Sequence, residues 1–169
     1  TDCSRPYSAS IFNISAMSYG ALSRNAVLSL NGGAKIGNFA HNTGEGSISP
    51  YHLEQGGDLI WQIGTGYFGC RNEQGGFDSD AFAECAKLDA VKMIEIKISQ
   101  GAKPGHGGIL PRAKITPEVA AIRGVGMGAD VISPPAHSAF STPTELLAFV
   151  TRLRELSGGK PVGFKLCVG

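Results

Sequence analysis

Nowhere in the 169 residues does a C-x-x-C pair occur; Cys3, Cys70, Cys85 and Cys167 are scattered singly. That scatter argues against a zinc ribbon or a self-contained iron–sulfur motif and leaves a reduced, cytoplasmic protein as the expectation. Charge is also scarce, at 17% of residues, with 15 basic against 14 acidic and no Lys/Arg run. The basic footprint of a nucleic-acid binder is therefore missing. No charged-then-apolar leader opens the sequence, and no apolar run approaches the roughly 18 residues of a membrane span. Neither nucleic acid nor membrane is expected as a partner. His41, His52, His106 and His137 lack metal-ligand spacing, so no metal site is expected and loop or surface roles are expected instead.

What the chain has in excess is glycine. Its 24 glycines are about twice the average usage of roughly 7%. They follow apolar runs instead of forming low-complexity tracts, as they would where backbone must approach a ligand closely. With 42% hydrophobic residues, the composition is that of one globular domain with a sizeable core.

Strand-like apolar runs recur at 11–17, 38–42, 59–64, 93–99, 130–133 and 162–168. Helical patterns fall between most of them. Residues 23–36 begin at an N-cap serine, and 79–88 are similar. Residues 116–127 and 142–157 each open with Thr-Pro and end at glycine. Strand and helix in alternation imply a parallel sheet, and eight such units would reach roughly the 250 residues of a barrel. The expected fold is α/β, an incomplete (β/α)8 TIM barrel of parallel strands alternating with helices. Residues 1–169 would form one partial domain holding strands one to six, with seven and eight lying outside it. A complete doubly wound sheet is the alternative.

The run Glu95-Ile96-Lys97-Ile98-Ser99-Gln100-Gly101-Ala102-Lys103-Pro104-Gly105 reads as a strand entering a glycine-rich loop. Strand alternation puts Ile94, Ile96 and Ile98 on one face and Glu95, Lys97 and Ser99 on the other. The same rule turns Val162, Phe164 and Leu166 outward and Lys165 inward. Two lysines late in their strands, inside a barrel, suit an electron-rich cofactor or a substrate carboxylate. Lys97 could instead bridge to Glu95 or another carboxylate. Lys103 and the loop amides after Gly101 could hold an anion, or the loop could be a plain turn. Glu45, between two glycines, is a candidate acid, base or amine-orienting group, or a simple turn residue.

In these residues the chain resembles the FMN-binding barrel domain of the glutamate synthase family. The likeness rests on Ser15-Ala16-Met17-Ser18-Tyr19-Gly20-Ala21-Leu22-Ser23, Asn42-Thr43-Gly44-Glu45-Gly46, Lys97 with Gln100 to Gly105, and Ile132-Ser133-Pro134-Pro135. It implies reductive amination of 2-oxoglutarate, in which ammonia gives 2-iminoglutarate and reduced FMN delivers hydride from N5. By motif, Ala16, Met17 and Ser18 would line the flavin and Lys165 would face its N1/C2 edge. Lys97 would stand at flavin and substrate, Gln100 and Lys103 would hold the dicarboxylate, and Glu45 would lie near the amine. The chain departs from the family pattern at His106 (Glu), Ser47 (Gly) and Tyr67 (Arg), with Arg71 as a candidate substitute for the last or a surface ion-pair former. A divergent stand-alone branch is implied, and an amine:2-oxoglutarate enzyme such as N-methylglutamate synthase is the near alternative. The family's iron–sulfur cysteines lie beyond this segment, and the electron donor is not identified. Outside the family, a non-catalytic truncated barrel and a Schiff-base aldolase-like barrel using Lys97 or Lys165 are the alternatives.

Overall fold

A computed structural model describes residues 3–102 and 105–168. Helix α1 (Arg24–Gly37) starts where the Ser23 side chain accepts the Ala26 N–H and stops at Asn38 in the left-handed region. Strand β1 (His41–Asn42) and a four-residue helix α2 (Pro50–Leu53) follow. Strand β2 (Leu59–Ile63) leads to α3 (Ser79–Ala86), whose first amides are accepted by Asp78. Strand β3 (Val91–Lys97) then ends in the glycine-rich loop. Beyond that loop come β4 (Ile109–Leu110), a 3-10 turn (Arg112–Lys114), α4 (Pro117–Arg123) and β5 (Val131–Ile132). Helix α5 (Pro143–Leu156), opened by a Thr142/Glu145 capping box, precedes β6 (Val162–Lys165).

The main sheet is parallel throughout, in the order β1-β2-β3-β6, and Ile14 bridges His41 in parallel on the free side of β1. Helices alternate with these strands, as in the expected incomplete barrel. The strand expected at 130–133 is not part of the series. Val131–Ile132 pairs antiparallel with Ile109–Leu110 in a separate sheet, and β6 takes the place beside β3. A parallel barrel strand must be buried on both faces. Ile132 is exposed, whereas Val162 faces the core. Helix α4 also ends early, because Gly124, four residues before Gly128, adopts the left-handed conformation and terminates it.

Two apolar clusters with no shared member result. The larger packs the outward residues Trp61, Ile63, Ile94 and Ile96 against Phe82, Phe149 and Leu153 of α3 and α5. A smaller one gathers Leu110, Ile115, Val119 and Ala120 under the 109–131 excursion. Among the described residues no helix is long and apolar enough to cross a membrane.

Leu153 is fully buried in the larger cluster, while Leu147 on the same helix is 60% exposed. Leu153→Ala should therefore cost about 2–5 kcal/mol and Leu147→Ala under about 0.5 kcal/mol. Thermal melting of the two variants side by side checks this, and equal melting temperatures would contradict the assignment of α5's buried face.

Candidate functional site

Alternation along β1, β2 and β3 builds a polar layer on the face opposite the core. Asn42 and Gln62 donate their amides to one Glu95 carboxylate oxygen at 2.9 and 2.6 Å. Glu95 is thus engaged by amides and is not the partner of Lys97. Two residues further along the same face, Lys97 stands in register with Lys165 of β6. The two inward lysines expected from sequence are neighbours on adjacent strands.

Lys97 donates to Glu45 at 2.8 Å in a largely buried ion pair, the side chains being 12% and 21% exposed. Lys165 makes no side-chain hydrogen bond or ion pair among the described residues. Like charges on register neighbours repel, and Glu45 offsets the Lys97 ammonium. Glu45 reaches this place because the residue that follows β2 is Gly64. A Cβ there would fall 2.5 Å from Glu45 Oε2.

The Ala16–Ser18 segment is held by its backbone. The Met17 N–H donates to the Asn42 carbonyl at 3.0 Å, and the Met17 carbonyl lies 2.9 Å from His52 Nε2. A carbonyl only accepts, so Nε2 carries the proton. Nδ1 then accepts from the Ser49 backbone N–H at 3.1 Å and hydroxyl at 2.8 Å. Burial lowers the His52 pKa and keeps the ring neutral.

Two hollows share Glu45 as a wall. One, of about 160 Å³, is lined by Ser18, Glu45, Phe68, Gly108, Arg123 and Ser133. The other, of about 20 Å³, lies among Glu45, Lys97, Gln100, His106 and Pro134. Ser18, Glu45, Lys97 and Gln100 are therefore brought together, with Lys165 beside Lys97. Ala16 and Met17 line neither hollow, and Lys103 lies outside the described residues.

Sequence reasoning missed Arg123. It is 5% exposed, donates to the Tyr19 carbonyl at 3.1 Å and lies over the Phe68 ring at 5.2 Å. Burial lowers its pKa while Glu45 opposes that shift. Its signal was a charge on the apolar stripe of a helix, four residues after Val119 and three after Ala120, both buried. Arg71, the candidate substitute, lies over Phe68 at 5.5 Å but lines neither hollow.

The expectation of loop or surface roles holds for His106, exposed in its loop, and for His137, buried in a loop. It needs correction for His41 in β1 and His52 in α2, both fully buried. Apolar surroundings accept a neutral imidazole that sequence position alone does not reveal.

His41 packs against His52 with ring centroids 5.2 Å apart, and burial, then the neighbouring His52, lowers its pKa to about 4. Below about pH 6.5 the unfolded chain takes up a proton that the buried ring refuses. Stability is accordingly full above pH 6.5, falls towards pH 4 and levels off below it. His41→Leu should flatten that decline, as read from melting temperatures across pH 7 to 4; parallel curves for parent and variant would refute it.

Comparison with known proteins gives the family. Residues 5–169 match the family model described as a conserved region in glutamate synthase. The chain is 44% identical over 169 residues to the glutamate synthase large subunit-like protein YerD of Bacillus subtilis (strain 168), covering 99% of this chain and 32% of that protein. It is 38% identical over 154 residues to the archaeal glutamate synthase (NADPH) of Methanocaldococcus jannaschii, covering 90% and 28%. Against the glutamate synthase (NADPH) large chain of Bacillus subtilis (strain 168) it is 32% identical over 165 residues, covering 92% and 10%. The chain belongs to the glutamate synthase family. It spans about a third or less of the length of these curated relatives.

Proposed function

We propose that this chain is part of an FMN-dependent glutamate synthase-like oxidoreductase that reductively aminates 2-oxoglutarate to glutamate. The observation that carries the reading is the register of Lys97 with Lys165 on the inward face, at the carboxyl ends of parallel strands, in a chain of this family. Barrel enzymes keep their chemistry at that end.

The residues present suit an anionic, ring-shaped cofactor. Lys165 has no side-chain partner among the described residues and shares the inward face of β6 with Gly163. A cation on that face fits the electron-rich edge of a reduced flavin. When bound, FMN would supply the hydride.

The chain's own residues do the rest. Lys165 stabilises the cofactor's negative charge, and the backbone of Ala16–Ser18, pinned by Asn42 and His52, forms a wall. Arg123, Gln100 and Lys103 bind the dicarboxylate of 2-oxoglutarate by charge and hydrogen bonding. Glu45 keeps one oxygen on Lys97 and offers the other to the N–H of the incoming amine. An ammonium clamped by a carboxylate at 2.8 Å is a poor nucleophile, which disfavours a Schiff-base role for Lys97.

The full-length protein, with its natural flanking sequence, should purify yellow with flavin absorbance. Lys165→Met should lower FMN content or shift the flavin spectrum while the melt stays cooperative. Reoxidation of the reduced protein by 2-oxoglutarate with ammonia should outpace that with methylamine. A folded, colourless full-length protein would end the proposal, and faster reoxidation with methylamine would reassign the amine.

A further inference from the structure

Lys97 does not hold its position through its side chain alone. Its backbone carbonyl lies 2.8 Å from His137 Nε2, and His137 Nδ1 lies 3.0 Å from the Tyr67 hydroxyl. The same hydroxyl receives the Ala139 N–H at 3.1 Å. With a neutral imidazole, only one assignment of protons satisfies all three bonds. The carbonyl accepts, so Nε2 donates; Nδ1 is then bare and accepts the Tyr67 O–H, leaving the phenol oxygen a lone pair for Ala139. Burial favours the neutral ring, outweighing the opposing effects of the Lys97 carbonyl and Glu45, and it favours the neutral phenol as well.

Both relay residues are fixed independently. Tyr67 is fully buried at φ +49°, a left-handed conformation rare for a bulky residue and kept only where the surroundings impose it. His137 is stacked on Phe140 at 4.8 Å. It lines an apolar groove with Phe140, Phe164 and Leu166 and lines neither of the two hollows that share Glu45.

We propose that Tyr67 and His137 are positioning residues for Lys97, their relay fixing the end of β3 and with it the ammonium that stands opposite Lys165. The loop carrying Pro134 is drawn in by the same bonds, together with Thr65, whose hydroxyl donates to the Pro134 carbonyl at 2.6 Å. The relay thus sets one lysine and one wall of the smaller hollow at once. The catalytic consequence rests on the proposed function; the positioning itself does not.

The test uses the full-length protein and three variants. His137→Phe keeps the stacked ring without its hydrogen bonds, His137→Gln restores a donor for the carbonyl, and Tyr67→Phe removes one oxygen. Competitive amine acetylation read by peptide mass spectrometry, with and without FMN, reports the Lys97 environment directly. His137→Phe and Tyr67→Phe should raise Lys97 labelling about threefold or more, with Lys87, an exposed residue, as the unchanged control. His137→Gln should return labelling towards the parent value. With 2-oxoglutarate and ammonia, kcat should fall about 10- to 100-fold, the range expected of a misplacement near 1 Å, while KM stays within about threefold. If His137→Phe loses its cooperative melt, Tyr67→Phe decides by the same labelling. Unchanged Lys97 labelling in a folded variant overturns the proposal. Altered labelling in a protein that binds no FMN leaves the relay standing and removes the proposed function instead.

Discussion

The parallel pairing of β3 with β6 is the constraint on which the site depends. By setting Lys97 opposite Lys165, it places two positive charges on neighbouring stems inside the same wall. Like charges on register neighbours of adjacent strands are destabilising unless one of them is offset. Glu45 compensates for one of them, and Gly64 exists as glycine to let it do so. Below this pair, one Glu95 oxygen receives both the Asn42 and the Gln62 amide, and Glu95 forms no ion pair with either lysine among the described residues. Of the two lysines, Lys165 is the one without an ion-pair partner among those residues.

Most of this was legible in the chain itself. The period of two along 91–97 and 162–165 sorted side chains to the correct faces, because a strand buried on one side by helices leaves its alternate positions no other choice. Ser23, Thr116 and Thr142 announced helix starts, since their hydroxyls accept amides that no helix bond can satisfy. Glu45 stood out for its flanking glycines. What escaped was decided by tertiary partners. The run at 130–133 resembles a core strand when read alone, and only competition with Val162–Lys165 for the edge of β3 excludes it. Arg123 hid inside a helix, and the histidines at 52 and 137 owe their roles to carbonyls distant in sequence, 35 and 40 residues away.

The same separation of scales runs through the bonds that shape the rim. Met17 and Lys97 are both held by their main-chain carbonyls, each gripped by a buried neutral imidazole. A main-chain anchor leaves the side chain free for a ligand, and a neutral ring does so without adding charge to a crowded mouth. Tyr19 contributes in another manner, accepting Arg123 at its carbonyl and donating its hydroxyl to Glu118 at 2.5 Å. The excursion that bears Arg123 is fastened to the segment before α1 by these polar ties and by Tyr19 packing against its apolar cluster.

That excursion has a hydrophobic nucleus of its own, apart from the one that stabilises the barrel. Mutations there can drift without eroding the scaffold, because the two nuclei have no member in common. A substitution among Leu110, Ile115, Val119 and Ala120 would loosen the support of Arg123 without touching the cluster that packs β3 and β6 against α5. Damage to one nucleus is thereby kept from spreading into the other.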